Sequence, residues 1–399
     1  MRIHTFEVPG PLPLLDHDPE IVWISPGHAL AGFGVAARIE PGTGPDRFNR
    51  AEQAFTGWLG GQQLVDDFPG GGPIAVGSFT FDASSSGSTL VVPRVTLGRR
   101  GDCWWVTTVD GADHHPLLHP AGTSDRPTDR PRYAGSSMPD VLWLDAVASA
   151  LAEIEAGRLD KVVLARDYAV WSRVPFDRRR LLRRLSERFP ECFTFLVEGL
   201  VGASPELLVR KHGMAIESVV LAGSSRRSPD PAEDEQLGKA LLASEKDHRE
   251  HEPAADSVRR VLADTCSRLE SNQEPELVTL ANVMHLATRF SGRLAGHYSA
   301  LELVKRLHPT AAVGGQPTHT ALDLIKALEG MDRGRYAGPV GWTDRRGDGE
   351  WAIALRCAEL SGARARLFAG AGLVAGSLPE DELEETRVKL LAMQEALGG

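Results

Sequence analysis

Phe193-Thr194-Phe195-Leu196-Val197-Glu198-Gly199-Leu200-Val201-Gly202-Ala203-Ser204-Pro205-Glu206-Leu207-Leu208-Val209-Arg210-Lys211-His212-Gly213-Met214-Ala215-Ile216-Glu217-Ser218-Val219-Val220-Leu221 alternates apolar, β-branched and aromatic runs with turn formers. The stretch reads as strands over 193–201 and 207–221, the second folded back at Lys211-His212-Gly213. Working outward, a helix is expected near 140–157, ending at Gly157, and a β-rich run follows from Lys161 to Trp171. Further helices are expected at 233–243, 254–271, 299–307, 318–329 and 379–396, with strands at 336–343, 350–360 and 364–369. Strands joined by short turns, with helices placed irregularly among them, predict an α+β fold with a mostly antiparallel sheet. Regular βαβ alternation is missing, and no repeat recurs at a fixed period.

A chain of 399 residues can bury a large core, and length alone suggests two or three domains. Lys+Arg 44 against Asp+Glu 54 gives a net charge of -10, which argues against nucleic acid or an anionic membrane as the main partner. Met1-Arg2-Ile3-His4-Thr5-Phe6-Glu7 has no apolar signal core, and no stretch approaches the roughly 18 consecutive apolar residues of a membrane span. A cytoplasmic protein is expected. Cys103, Cys192, Cys266 and Cys357 are widely spaced singletons, read as small core residues rather than a disulfide or zinc framework. Residues 121–139, rich in Pro, Gly and Ser, read as an exposed connection between a divergent part, 1–120, and the remainder, 140–399. Within 1–120, Gly70-Gly71-Gly72-Pro73 precedes a buried strand over Ile74 to Phe81, and no chemistry is evident.

Chemistry concentrates after residue 140. In Asp247-His248-Arg249-Glu250 and in Glu382-Leu383-Glu384-Glu385, carboxylates three apart in helical stretches share a face. Carboxylates aimed together repel unless a cation sits between them, and hard oxygen donors suit Mg2+. Alternation puts Lys161, Val163 and Ala165 on one face of their strand. Lys161 is either a solvated strand lysine or an amine turned into the core, its pKa depressed by desolvation and a nearby metal. Glu206, at the start of an apolar strand, is either an edge residue that discourages pairing or a carboxyl held protonated by burial. Arg356 lies in the apolar run Trp351-Ala352-Ile353-Ala354-Leu355-Arg356-Cys357-Ala358, where it forms a structural ion pair or grips a carboxylate with its two-pronged guanidinium. Gly223 and Ser224 make a plain turn or bring backbone N–H groups to a substrate oxygen.

Three features carry a plainer reading. His285 and His308 stand apart from other metal-type ligands and are expected as hydrogen-bonded core residues. Arg178, Arg179, Arg180, Arg183 and Arg184 cover about two helical turns and are expected to form a solvated face. Gly370-Ala371-Gly372-Leu373-Val374-Ala375-Gly376 fits a dinucleotide fingerprint only nominally. The helix is expected to begin later, with Ser377 as cap and Pro379 in its first turn, among acids that would repel a pyrophosphate.

Taken in order, these segments resemble the chorismate-utilising enzyme family, and within it the isochorismate synthases. The resemblance spans roughly residues 140–397. It is carried by Lys161-Val162-Val163-Leu164-Ala165-Arg166, Gly202 to Glu206, Leu221 to Ser224, Ser244-Glu245-Lys246-Asp247 through Glu250-His251-Glu252, and His308-Pro309-Thr310. Tyr336-Ala337-Gly338-Pro339-Val340-Gly341-Trp342, Arg356-Cys357-Ala358, Phe368 to Gly372 and Glu385-Thr386 through Lys389-Leu390 complete it. It implies one structural domain in which two antiparallel sheets form a sandwich around the site, with helices outside. It also implies roles: Lys161 as the base that activates water, Glu206 as the acid that protonates the departing hydroxyl, Glu250 and Glu385 as Mg2+ ligands supported by Asp247 and Glu382. Gly223, Ser224, His285, Ala312, Tyr336, Arg356, Gly370 and Lys389 would line the substrate pocket. One departure is Pro253, where the family continues with a helix-compatible residue; a kink or helix junction beside Glu250 is expected.

The implied reaction is the Mg2+-dependent conversion of chorismate to isochorismate, by addition of water at C2 and loss of the C4 hydroxyl. No amidotransferase subunit is implied, because family members that add ammonia typically lack a lysine at the position of Lys161, and nothing demands a partner subunit. Salicylate synthases, the alternative, keep the lysine but eliminate pyruvate and tend to show threonines where this chain has Ser224 and Ala312. A chorismate-binding protein without turnover is a third reading, against which the joint retention of Lys161, Glu206, Glu250 and Glu385 argues.

Overall fold

Glu198 and Gly199 both adopt positive φ, 48° and 81°. Two successive left-handed residues make the tight turn whose twist matches a hairpin, so the strand expected over 193–201 is instead two strands, Phe193–Val197 and Leu200–Ser204. Gly199 is required for a second reason, since a Cβ there would lie 2.7 Å from the Leu360 carbonyl oxygen. The next hairpin, Leu207–His212 with Ala215–Arg226, turns at Gly213 as expected.

The computed structural model describes residues 1–68, 71–121 and 129–398. Among these, hydrogen bonds link 21 strands into one network. Every ladder is antiparallel except that of Arg2–Val8 with Gln63–Asp66. From the first hairpin the network runs through Ile21–Ser25 and His28–Ile39 to Thr89–Arg100. In the other direction it runs through Cys357–Ser361 and Arg364–Leu373 to Lys161–Trp171. From the second hairpin it passes through Gly349–Ile353, Pro339–Asp344 and Ile74–Ser78, again to Thr89–Arg100, and on its other side to Val283–Leu294. The sheet therefore forks at Thr89–Arg100. Buried side chains from both branches, Trp23 and Phe195 on one, Val209 and Trp351 on the other, share one apolar cluster. The Trp23 indole donates to the Glu350 carboxylate across the branches.

Strands of the first 120 residues thus pair directly with strands that follow residue 190. Of the connection read over 121–139, residues 122–128 lie outside the described residues, and so does Gly70 of the glycine run. Arg132–Gly135 adds a short strand beside Lys161–Trp171.

Helix boundaries differ from expectation at one informative place. The helix read at 254–271 spans Glu245–Thr265, with the Ser244 hydroxyl accepting from the Asp247 N–H at 3.2 Å, and residues 266–271 form a strand. It continues through Pro253 rather than breaking. Proline removes one backbone donor there, and the buried face Ala254, Ala255, Val258 and Leu262 holds the helix against the sheet. Val283–Leu294 escaped the sequence reading because six successive buried residues at its start give no alternation to detect. Cys192 and Cys357 are buried as expected, whereas Cys103 is exposed and Cys266 half-buried. The arginine-rich helix Arg178–Arg188 is not simply solvated: Arg178 and Arg183 pair with Asp18 and Asp16, and Arg184 donates to the Ala396 carbonyl. Among the described residues, no helix is long and apolar enough to cross a membrane.

Candidate active site

Strands from both branches and two helices enclose a cavity of about 70 Å³. Val163, Phe368 and Gly370 line it from one branch, Gly223, Ser224 and His285 from the other. Glu206, Ala312, Tyr336 and Arg356 complete the walls from connecting segments, with Glu250 and Lys389 projecting from helices Glu245–Thr265 and Pro379–Gly398.

Glu206 sits just beyond the strand Leu200–Ser204, its backbone N–H bound to the Ser204 hydroxyl. Only 2 % of it is exposed. Burial pushes its pKa up from 4.5 to about 8, against the opposing pull of Lys161, a hydrogen bond with the Leu221 backbone and Lys389. The carboxyl, on the cavity wall, is therefore protonated at neutral pH.

Lys161 lies on the same strand face as Val163 and is wholly buried, close enough to pull on the Glu206 carboxyl. Its ammonium donates to the Glu250 backbone oxygen at 2.9 Å and lies 3.4 Å from the Glu250 carboxylate. Lys389 Nζ likewise bonds Glu385 Oε1 at 2.5 Å and the Gly370 oxygen at 3.0 Å, and Lys246 Nζ bonds Glu382 Oε1 at 2.7 Å. Each of these three glutamates thus has its own lysine. Burial first, and repulsion from Glu385 and Asp247 besides, raises the Glu250 pKa against the attraction of Lys161 and Lys389. Glu382 is pushed up to about 7 by burial and by Glu385, against Lys246. Burial opposes the charge of Lys389, but Glu385 and Glu250 outweigh it and raise that pKa. Asp247, Glu382 and Glu385 stand behind the cavity rather than on its wall, and among the described residues no three His, Cys, Asp or Glu side chains form a ready-made metal cage.

The Gly223-Ser224 segment owes its shape to a bulge between Ala222 and Ser224 in the ladder with Val283–Leu294. Gly223 has φ 72°, and a Cβ there would meet the Asp247 Cβ at 3.0 Å. Two histidines hold the bulge. His251 Nδ1 bonds the Ala222 oxygen and His285 Nδ1 the Gly223 oxygen, both at 3.2 Å. A carbonyl only accepts, so each Nδ1 carries the proton. His285 Nε2 then accepts from Arg356 Nη2 at 2.7 Å. Burial, then Arg356, lowers the His285 pKa well below its ordinary value, so the ring is neutral. The expectation that His285 is hydrogen-bonded and buried is met. His308 is held similarly, its Nε2–H donating to the Phe81 carbonyl oxygen at 3.0 Å, outside the cavity.

Arg356 takes positive φ, 46°, and is 6 % exposed. Its Nη1 has no partner although buried. A desolvated guanidinium N–H without an acceptor is costly, and here it belongs to a side chain on the cavity wall. Among the described residues the guanidinium bonds the neutral His285 ring and forms no ion pair with a glutamate, against the purely structural alternative. Tyr336 stacks on Phe368 with ring centroids 5.0 Å apart and an interplanar angle of 7°.

The glycine run 370–376 does not open a helix. Gly370 and Gly372 lie inside the strand Arg364–Leu373, which excludes the strand–turn–helix geometry of a dinucleotide site. Their need is local: a Cβ on Gly372 would lie 2.1 Å from Glu250 Oε1, and one on Gly370 3.1 Å from the Tyr336 hydroxyl. Gly372, His251 and Lys246 lie inside recognisable motifs, but nothing in the local sequence pattern reveals what approaches them.

A family model described as chorismate binding enzyme matches residues 17–398. Isochorismate synthase DhbC of Bacillus subtilis (strain 168) is 42% identical over 340 residues, covering 82% of this chain and 81% of that protein. Among solved structures, the assigned 2,3-dihydroxybenzoate-specific isochorismate synthase DhbC of Bacillus anthracis is similar with a TM-score of 0.83 at 32% identity, covering 96% of this chain and 98% of the other. The menaquinone-specific isochorismate synthase MenF of Escherichia coli is similar with a TM-score of 0.82 at 25% identity, covering 99% and 94%. With a family model spanning nearly the whole chain and relatives aligned over most of their length, the protein belongs to the chorismate-binding enzyme family.

Proposed function

We propose that this protein is an isochorismate synthase, an isomerase that interconverts chorismate and isochorismate. The observation that carries this reading is Glu206: a buried carboxyl that keeps its proton to about pH 8, facing a cavity shared with an unpartnered Arg356 N–H. Hydroxide is a poor leaving group and water a poor nucleophile, so the reaction needs an acid at C4 and a base at C2. Glu206 protonates the C4 hydroxyl, which departs as water. Lys161 is the base that takes a proton from the water that adds at C2, and the ring double bonds shift to close the balance. Arg356 Nη1 and Lys389 receive the substrate carboxylates, His285 fixes the Arg356 plane, and Tyr336, Gly370, Gly223, Ser224 and Ala312 shape the ring pocket.

Mg2+ fits the donor set. It binds through one or two carboxylates and keeps several waters, and Glu250 with Glu385 offers two that already repel each other. Glu250 and Glu385 would hold it, with Asp247 and Glu382 in support, and when bound it supplies positive charge that orients a dianionic substrate. Gly372→Ala is expected to drive the Glu250 carboxylate aside and to raise the Mg2+ concentration needed for half-maximal activity. Titration of activity against Mg2+ measures this, and an unchanged midpoint would remove Glu250 from the metal site.

The same reading treats the two branches of the sheet as facing walls of a sandwich around the site, residues 1–399 as one structural domain, and the chain as a cytoplasmic monomer. Free cysteines throughout the described residues agree with a reducing compartment. Purified protein with chorismate and Mg2+ tests the function: isochorismate is the expected product. Salicylate with pyruvate would instead make it a salicylate synthase, and no product a binding protein.

A further inference from the structure

We propose that the buried pair Glu329–Arg333 is a positioning element that sets the strand of Lys161 and two walls of the cavity, an inference that rests on the isochorismate synthase reading. Lys161–Trp171 is bonded along one edge to Arg364–Leu373. Along the other, backbone pairing is interrupted after Val163 and resumes only at Ala169, with Arg132–Gly135. Gln316 and Gly315 pair with Lys161 and Val162, the Val163 N–H donates to the Gly314 oxygen at 2.8 Å, and the chain then turns away. Beyond that point two side chains stand where a neighbouring strand would be. Arg333 Nη2 donates to the Val163 oxygen at 2.8 Å, and Glu329 Oε1 accepts from the Ala165 N–H at 2.7 Å.

The same guanidinium reaches the opposite wall, donating from Nη1 to the Val313 oxygen at 2.8 Å. Its backbone oxygen accepts from the Tyr336 N–H at 3.1 Å. Val163, Val313 and Tyr336 all line the cavity, and Lys161 is two residues before Val163. The pair is internally locked: Arg333 Nε bonds both Glu329 oxygens, at 3.1 and 2.9 Å, and the Arg333 plane lies over the Phe81 ring at 4.2 Å. Arg333 and Glu329 are 3 % and 4 % exposed, and neither leaves a buried polar atom unpartnered. A buried ion pair of this kind is commonly replaceable by apolar residues without loss of stability. Its distinguishing content is therefore geometric, since one planar fork fixes the spacing between two strands' worth of backbone that apolar side chains cannot hold.

Two full-length variants test this beside the wild type. Arg333→Lys keeps the charge but not the fork. Glu329→Leu combined with Arg333→Met keeps a packed interior but none of the backbone bonds. Both are expected to melt cooperatively and to lose kcat by about 100-fold, the scale of a 1 Å misplacement, with KM little changed because Arg356 and Lys389 sit on other elements. Wild-type kcat in the folded apolar double variant would overturn the proposal, because packing alone would then suffice. Amide exchange is read in parallel and does not depend on which reaction is catalysed. Faster exchange at Ala165 in the double variant, without a general rise across the sheet, supports the clamp, and unchanged exchange overturns it. Wild-type protein that makes no isochorismate would defeat the functional reading alone, leaving the exchange result to decide the clamp.

Discussion

Lys161→Ala is expected to lose isochorismate formation by about 10²–10⁴-fold, the usual contribution of a general base, while the protein stays folded. Removing one member of a buried ion pair ordinarily costs about 3–5 kcal/mol, because the partner is left charged and alone. Here the partner has an escape. Burial and Glu385 already push the Glu250 pKa up against the pull of Lys161, so removing Lys161 makes protonation of that carboxyl easier. Chorismate turnover and a thermal melt measured on the same preparation check both halves of the expectation. Full activity in a folded variant would show that water is activated by another group.

Glu206→Gln should be equally damaging to turnover and opposite in its effect on stability. The amide cannot protonate a leaving hydroxyl, so a loss of about 10²–10⁴-fold is expected. The wild-type carboxyl has a folded pKa of about 8 against 4.5 for the solvated glutamate of the unfolded chain. Between these values the native state retains a proton that the unfolded chain has released, so stability from this group is complete below pH 4.5 and is lost as pH rises to about 8. Glutamine carries no such dependence. The melting temperature of the variant relative to wild type is therefore expected to climb steadily across that window. In the wild type, kcat/KM should fall as pH rises past about 8, when the acid ionises. A variant whose relative melting temperature is flat with pH would show that Glu206 titrates normally.

Local sequence carried much of the framework. The strand Lys161–Trp171 ends where its pattern ends, and the turn at Gly213 was visible because a glycine interrupts an apolar run. The first hairpin was blurred, since Glu198 gives no hint of a left-handed turn until Gly199 and its neighbour strand are in place. Pro253 misled in the other direction. A helix-breaking residue was read correctly as a local cost, but the buried face that outweighs it is a tertiary property.

Residue types and their order determined the family resemblance, the chemistry at stake and the antiparallel character of the sheet, because these follow from side-chain identity and short-range periodicity. Tertiary structure alone decided which charges meet: that Lys161 faces Glu250, that His285 and not a carboxylate supports Arg356, that Glu329 and Arg333 finish a strand edge. Such partners lie far apart in the chain, and desolvation, which raises the Glu206 pKa, exists only once the surrounding walls have closed.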